Sequence, residues 1–337
     1  MTIILALVIF SILILVHEGG HFLAAKRAGI RVDEFAIGLG PALWQAKKGE
    51  TTYSLRAFPL GGYNRMAGME GADLDDPRGF NRQPLGKRMG VIAAGSGMNF
   101  LLAILLFIFA FMILGIPADI NVVGRVEPDM PAARAGLQAG DKILQVDNTP
   151  VTTWRDMVQL IYERPEQKIT LLLERDGRQQ QVTLTTIKDP QAGVGMIGIG
   201  PTWERQGIGR SIILGLQQAL EITRLIVLSL VQMVTGRVAA EVVGPVGIIQ
   251  LVGQAATFGL ANVLNFMAVL SLDLGLINLL PVPALDGSRL VFLGLEGVRG
   301  RPINPEKENF VHLIGFALLM GLLILITYND LVRIFSS

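Results

Sequence analysis

The chain has no cysteine and only three histidines among its 337 residues. Without cysteine it cannot form a disulfide framework, carry a catalytic thiol or bind zinc through thiolates. Any metal ion that it holds must therefore be bound by nitrogen and oxygen ligands. Two of the three histidines, His17 and His21, lie four residues apart near the N-terminus.

The chain also lacks an excess of charge of either sign. Its 29 Lys and Arg residues nearly balance its 28 Asp and Glu residues, and the net charge is +1. A net charge this close to zero does not indicate nucleic-acid binding. What the chain has instead is a hydrophobic content of 51%, with apolar runs of about 20 residues that are long enough to cross a bilayer. This composition predicts a polytopic α-helical membrane protein.

The apolar runs predict about four transmembrane helices, at 2–25, at 91–116, from about 263, and at 311–328. The segment 26–90 carries the densest cluster of Lys and Arg, and by the positive-inside rule it faces the cytoplasm. This topology places both termini and the polar segment 118–200 on the extracytoplasmic side.

Changes in composition divide the chain into parts. The first membrane part covers 1–117 and includes a membrane-associated β region at 31–70. A soluble α+β domain follows at 118–200, and then a linker with one long helix at 201–262. The second membrane part, with a cytoplasmic loop, covers 263–337. Polar residues recur at mostly helical spacing over 211–235. An amphipathic helix on the membrane surface therefore fits that segment at least as well as a span does.

The motif H-E-x-x-H is formed by His17, Glu18 and His21 inside the first apolar run. The two histidines are one helical turn apart, so both imidazoles can bind one ion while Glu18 takes a proton from an activated water. Ionisable groups inside a membrane segment are costly and usually functional. The motif therefore predicts a metal site.

A catalytic zinc ion usually has three protein ligands, so a third must come from another segment. The candidates are His312, Asp273 and Asp286. On a continuous helix the two aspartates would be about 20 Å apart, so both could hardly bind one ion. A lone histidine at the start of the last span is more often an interfacial side chain.

Asp286 is the favoured third ligand because of its setting in "NLLPVPALDG". Pro281 and Pro283 break the helix and Gly287 allows the backbone to turn. Broken backbone at membrane depth is tolerated where it is buried in protein or lines a wet cavity. The predicted topology also puts Asp286 and His17 at matching depths, toward the cytoplasmic side.

Four motifs together closely resemble the site-2 protease family of intramembrane zinc metalloproteases: "VHEGGHFLAA", "FAIGLGP", "YSLRAFPLGGYNRMAGM" and "NLLPVPALDG". The order of parts looks like the bacterial regulator-of-sigma-E protease branch, in a short form with one soluble domain. The resemblance implies a bacterial cell-membrane protein, with Zn²⁺ bound by His17, His21 and Asp286. It also implies Glu18 as the catalytic acid/base.

The resemblance further implies a membrane-associated β-hairpin beside the active site, over residues 53–66. It implies as well that Asn278 helps hold the substrate backbone. Strand pairing of the substrate with the hairpin would make Leu60, Gly61 and Gly62 substrate-binding residues too. In one place the sequence departs from the family, because Asp273 stands where an asparagine is usual. An aspartate cannot donate a hydrogen bond unless it is protonated, which puts the substrate-binding role of this position in doubt.

The soluble domain resembles a PDZ domain, chiefly through "PAARAGLQAGDKILQVD". PDZ domains bind peptides by adding a strand to a sheet edge and can capture a C-terminal carboxylate. An alternative is a folded spacer that keeps large ectodomains away from the active site without binding a peptide. Both alternatives remain open from the sequence.

The predicted function is hydrolysis of peptide bonds in the transmembrane segments of single-span proteins, such as an anti-sigma factor or a remnant signal peptide. Two alternatives belong to other classes, a non-catalytic membrane PDZ adaptor and a metal transporter. Glu18 distinguishes them, because neither a structural nor a transport site needs a proton-transfer carboxylate beside its ligands.

Overall fold

A computed structural model describes residues 1–69, 73, 75–190, 192–238, 243–257, 259–303 and 305–336 of the chain. The chain divides into two compact units. The first unit joins Met1–Ala110 with Ser211–Ser337, and the second is Phe111–Arg210.

The first unit contains most of the long helices and two long strands. Its helices are α1 (Thr2–Ala28), α2 (Leu85–Ile113, whose last residues enter the second unit), α5 (Ile208–Val234), α6 (Pro245–Thr257), α7 (Leu260–Asn278), α8 (Asp286–Arg299) and α9 (Pro305–Ser336). Its strands are β1 (Val32–Lys48) and β2 (Thr51–Met66).

In its described residues, 111–190 and 192–210, the second unit contains short helices and ten strands. The helices are α3 (Pro131–Arg134) and α4 (Trp154–Tyr162). The strands are β3 (Ile116–Pro117), β4 (Val123–Val126), β5 (Lys142–Val146), β6 (Thr149–Pro150), β7 (Lys168–Arg175), β8 (Arg178–Thr185), β9 (Ile187–Lys188), β10 (Gly195–Met196), β11 (Ile199–Pro201) and β12 (Trp203–Glu204).

Five helices in the described part of the chain are long and apolar enough to cross a membrane: α1, α2, α5, α7 and α9. The sequence analysis predicts about four spans and leaves 211–235 open. In the structure this segment belongs to the continuous 27-residue helix α5, which has the lowest mean hydropathy of the five, 1.4. Length and composition alone therefore admit α5 as a fifth candidate, while its polar stripe favours the membrane surface.

Small residues let α1, α2 and α7 approach one another closely. A Cβ on Gly20 of α1 would lie 2.4 Å from the Ala94 carbonyl oxygen of α2, so only glycine fits this contact. On the other side of α2, the Ser271 hydroxyl of α7 donates to the Asn99 carbonyl at 2.8 Å. Close packing through small residues and interhelical hydrogen bonds is typical of membrane helices. It brings the motif-bearing part of α1 against α2.

The strands β1 and β2 form more than the simple hairpin predicted at 53–66. Residues 34–37 pair with 62–65 on one side and with 52–55 on the other, and 52–55 pair in turn with 44–47. The two strands thus bend into four paired segments, and 62–66 is one of the two outer ones. We call 62–66 the edge segment.

The chain breaks between α7 and α8. Helix α7 ends at Asn278, and the L-D-G motif follows seven residues later as the first turn of α8. The motif therefore lies outside α7, because two prolines stop the helix before it. The predicted cytoplasmic loop is also largely helical over Asp286–Arg299, and Gly300 ends that helix with a positive φ of 66°. The pair between Arg88 of α2 and Glu296, at 3.0 Å, holds α8 in place.

The second unit has one core between a sheet and two helices. The sheet order is β6-β5-β7-β8, and all its pairings are antiparallel. Strand β7 alternates buried and partly exposed residues, so Ile169, Leu171 and Leu173 point into the core, where Met157 and Ile161 of α4 meet them. The α4 helix begins at Thr153, whose hydroxyl accepts from the Asp156 N–H at 3.1 Å.

A buried ion pair lies at one side of this core. The guanidinium of Arg175 donates to both carboxylate oxygens of Asp141, at 2.6 and 2.7 Å, and the Gln138 N–H adds a third bond. Burial by itself raises the pKa of Asp141, but these donors lower it further than burial raises it. The pKa of Asp141 in the folded unit therefore lies below its usual value.

The ion pair predicts a pH dependence of the stability of the second unit. Because the folded pKa of Asp141 is depressed, the pair stabilises the unit fully above the unfolded pKa of about 3.9, and this stabilisation is lost as the pH falls below it. We expect Arg175→Met to lower the thermal unfolding temperature at neutral pH. The decrease of that temperature as the pH falls into the acid range should also be smaller than in the original protein. The matched control is Arg178→Met at an exposed position. Equal unfolding temperatures for Arg175→Met and the control would contradict the prediction.

Candidate active site

Three side chains from distant parts of the chain converge between α1 and the start of α8. The Nε2 atoms of His17 and His21 are 3.2 Å apart, and Asp286 Oδ2 lies 3.2 Å from the first and 3.1 Å from the second. Both histidines are buried. Together with Asp286 they form the one group of three residues in the described part of the chain whose ligand atoms are close enough to hold a metal ion.

The distances within this triangle fit a tetrahedral metal site. Zinc binds imidazole nitrogen and carboxylate oxygen at about 2.0–2.2 Å, so two ligand atoms of a tetrahedron are about 3.3 Å apart. The three edges of 3.1–3.2 Å come close to that separation. Three protein ligands leave the fourth position open, as in catalytic zinc sites. The residues therefore fit a zinc ion without rearrangement of the backbone.

Helix α2 contacts the Nδ1 atoms of both imidazoles, whose Nε2 atoms form part of the triangle. The Nδ1 atom of His21 lies 2.9 Å from the Val91 carbonyl oxygen, so Nδ1 carries the proton and the Nε2 lone pair points to the triangle. The Nδ2 atom of the fully buried Asn99 lies 3.3 Å from His17 Nδ1. Either end of an amide can be assigned to such a contact. With its oxygen toward His17, Asn99 fixes the same tautomer there.

Glu18 lies between the two histidines in sequence and contacts the edge segment. Asn64 donates through Nδ2 to the Glu18 carboxylate at 2.7 Å and to the Glu18 backbone carbonyl at 2.9 Å. Close by, a Cβ on Gly62 would lie 2.9 Å from Glu18 Cγ and 2.8 Å from the Ala36 carbonyl oxygen. Glycine at this position lets the backbone pass directly beside Glu18.

The turn before α8 sets the position of Asp286. A Cβ on Gly287 would lie 2.2 Å from the Leu280 carbonyl oxygen and 2.3 Å from that of Leu279. Only glycine therefore allows the first turn of α8 to fold back on the end of α7. The Leu285 N–H donates to the Val282 carbonyl at 3.1 Å, which closes the intervening loop.

The remaining predicted residues lie outside the triangle. The Asn278 side chain donates to the Leu274 carbonyl of its own helix at 2.9 Å. Asp273 is half-buried on α7, and His312 accepts a hydrogen bond from the Ala284 N–H. In the hairpin, Gly61 has a positive φ of 120°. The side chain of Leu60 lies outside the described part of the structure.

Sequence reasoning missed the residues that surround the triangle. Gly95 and Asn99 lie in the stretch "AAGSGMN", whose small residues allow close helix contact but indicate no contact with the histidines. Asn64 lies in the hairpin motif without a role of its own. No short-range pattern links these residues to H-E-x-x-H, because each contacts it across at least 46 residues of chain.

Comparisons with known proteins agree on one family. The model of peptidase family M50 matches residues 5–322. A putative zinc metalloprotease of Clostridium acetobutylicum is 39% identical over 332 positions, covering 98% of this chain and 97% of that protein. The regulator of sigma-W protease RasP of Bacillus subtilis is 33% identical over 419 positions, covering 99% of each.

Solved structures match part of the chain. One is the HtrA-type protease AlgW with a decapeptide, which is 34% identical over 24% of this chain and 22% of that chain, with a TM-score of 0.19. Another is a PDZ domain from Listeria monocytogenes, which is 22% identical over 25% of this chain and 88% of that chain, with a TM-score of 0.22.

The contact between α2 and the triangle predicts a strong effect of one added methyl group. A Cβ on Gly95 would lie 2.3 Å from His21 Nε2 and 2.8 Å from His17 Cε1. We expect Gly95→Ala to displace both rings and to weaken zinc binding by about 10-fold or more, as measured by competition with a chelator. The matched control is Gly97→Ala on the same helix, where a Cβ meets nothing within 4 Å. Equal zinc affinity of the two variants would show that α2 does not determine the position of the ligands.

Proposed function

The chain belongs to peptidase family M50, and we propose that it is an intramembrane zinc metalloprotease that hydrolyses peptide bonds in the transmembrane segments of single-span proteins. One observation carries the proposal. The triangle of His17, His21 and Asp286 adjoins a carboxylate, Glu18, and three of these four residues lie on α1, a helix long and apolar enough to cross a membrane.

The three residues of the triangle are the proposed zinc ligands. Two neutral imidazoles and one carboxylate form a donor set that suits zinc, although other divalent ions accept it too. When bound, zinc would polarise the scissile carbonyl group and lower the pKa of water at the open position to about 7. Val91 and Asn99 hold the imidazoles in the orientation that such binding needs.

Glu18 is the proposed general base and acid. Its carboxylate accepts the proton of the attacking water and delivers it to the leaving amine nitrogen, so the residue ends in its starting state. Asn64 holds the carboxylate by donating to one of its oxygens. The hydrogen bond limits the rotamers of Glu18 and leaves its other oxygen for the proton transfer.

The substrate must be extended at the cleaved bond, because a helical backbone keeps its carbonyl groups in internal hydrogen bonds. The edge segment is outermost in its sheet and contacts Glu18, which supports pairing of the substrate with this strand. Gly61 and Gly62 keep the approach open, and we propose them, with Leu60, as substrate-binding residues. To bind the substrate, the Asn278 side-chain amide would give up its hydrogen bond to the Leu274 carbonyl and donate to the substrate backbone instead. Asp273 would contribute as a hydrogen-bond acceptor.

The topology and the substrates are proposed on the charge pattern and on the relatives. With α5 on the membrane surface, four crossings leave both termini and the second unit extracytoplasmic and turn the triangle toward the cytoplasm. The Bacillus subtilis relative is named a regulator of sigma-W protease. For this chain we propose single-span substrates, such as an anti-sigma factor or a remnant signal peptide.

The second unit is proposed to be a PDZ domain that binds peptide. A cavity of about 620 Å³ runs along α4, and its lining includes the side chains of Trp154, Val158 and Tyr162. Three such side chains at helical spacing offer apolar contacts to an extended chain or its C-terminus. A spacer that only excludes large ectodomains would not need a cavity lined by apolar side chains.

The rival functions are an adaptor with a structural zinc and a metal transporter. Neither explains why a carboxylate, Glu18, follows His17 directly on α1 and accepts a hydrogen bond from Asn64. A hydrolase needs both features. The position of Glu18 therefore favours the protease over its two rivals.

The proposal predicts that Glu18→Gln separates catalysis from metal binding. The substitution keeps the size of the side chain but removes the proton acceptor, so cleavage of a single-span substrate should fall by about 10²–10⁴-fold. Zinc content should stay near one ion per chain. As a control, His17→Ala should lose both zinc and cleavage. Undiminished cleavage by Glu18→Gln would contradict the proposed mechanism.

A further inference from the structure

The third histidine of the chain lies beside the loop that carries Asp286. His312 is on α9, and its side chain is largely buried, with 12% exposed. Its Nδ1 atom accepts a hydrogen bond from the Ala284 N–H at 3.1 Å. Ala284 precedes Asp286 by two residues. All three histidines of the chain are therefore associated with the same site.

The hydrogen bond holds a residue in an uncommon conformation. Ala284 has a φ of 77°, in the left-handed region that residues with a side chain rarely adopt. Such a conformation persists only where the surroundings determine it. An acceptor placed on the Ala284 N–H is one such determinant, because the N–H direction changes when φ returns to a negative value.

Helix α9 packs closely on this loop. A Cβ on Gly315 would lie 2.3 Å from Pro283 Cβ and 2.6 Å from the Pro283 backbone, so the helix and the loop touch. Phe292 of α8 makes an edge contact with the His312 ring, with centroids 6.0 Å apart. These contacts fix the imidazole, so His312 is a rigid acceptor rather than a mobile one.

Direct metal binding does not explain His312. Its Nδ1 lone pair is used by Ala284, and its Nε2 lies 3.8 Å from Glu308 Oε1 rather than in the triangle. Its effect on the site must therefore pass through the loop backbone. A single residue, Leu285, separates Ala284 from Asp286, so a change in φ at Ala284 moves the carboxylate of Asp286.

We propose that His312 is a positioning residue that holds the Ala284 backbone and thereby keeps Asp286 in place to bind zinc. The inference rests on the proposed function, since it assigns Asp286 as a zinc ligand. Partners that orient a ligating residue typically contribute about 10–100-fold to metal affinity. Helix α9 is then part of the metal site although it supplies no ligand.

The test compares three substitutions of His312 in the full-length protein. Asn presents its Oδ1 close to the place of the imidazole Nδ1, whereas Gln reaches further and Leu has no acceptor. We expect His312→Leu and His312→Gln to lower zinc affinity by about 10–100-fold in competition with a chelator. His312→Asn should stay within about 3-fold of the original protein.

Amide hydrogen exchange in the zinc-free protein provides a readout that does not depend on activity. Exchange over residues 280–287 should be faster in His312→Leu than in the original protein, and His312→Asn should restore the slow rate. Thermal unfolding of each variant controls for loss of the fold.

Zinc affinity of His312→Leu equal to that of the original protein would overturn the inference and leave the proposed function intact. Loss of affinity in both His312→Leu and His312→Asn, with a folded chain and unchanged exchange, would also overturn it. An original protein that binds no zinc would instead contradict the proposed function itself.

Discussion

Polar side chains are costly inside an apolar helix such as α1, and the structure meets this constraint by bringing His17 and His21 against Asp286 at the start of α8. His17, His21 and Asp286 come from segments some 265 residues apart, yet their ligand atoms lie within 3.1–3.2 Å of one another. An ionisable group at membrane depth persists when it has a partner of matching chemistry. A shared cation would provide that partner for all three at once, which is why we propose zinc as the element on which the site depends.

The elements around the triangle each constrain one of its parts. Helix α2 approaches through glycine and orients both imidazoles, and the edge segment holds Glu18 through Asn64. Helix α9 contacts the loop before Asp286. The triangle, Glu18 and the loop before Asp286 are thus supported by three separate elements of the first unit. Such preorganisation is what catalysis at a metal site requires, because reacting groups must be held in place before the substrate arrives.

The sequence predicts the residues that obey local rules. H-E-x-x-H on a helix and the proline-broken segment before L-D-G depend on spacing of a few residues, and both are visible in the sequence. The double pairing of β1 with β2, the helix α8 and the contact of Asn64 with Glu18 depend on distant parts of the chain, and no local pattern encodes them. The same holds for Gly95, whose small size matters only because two imidazoles lie against it.

The central claim is that two imidazoles and one carboxylate bind a single zinc ion with an open fourth position. X-ray absorption at the zinc K edge of the purified protein tests it most directly. The account predicts four nitrogen and oxygen ligands at about 2.0–2.2 Å, with scattering from two imidazoles and none from sulfur. A six-coordinate oxygen shell, a third imidazole, or a spectrum unchanged by Asp286→Ala would contradict it.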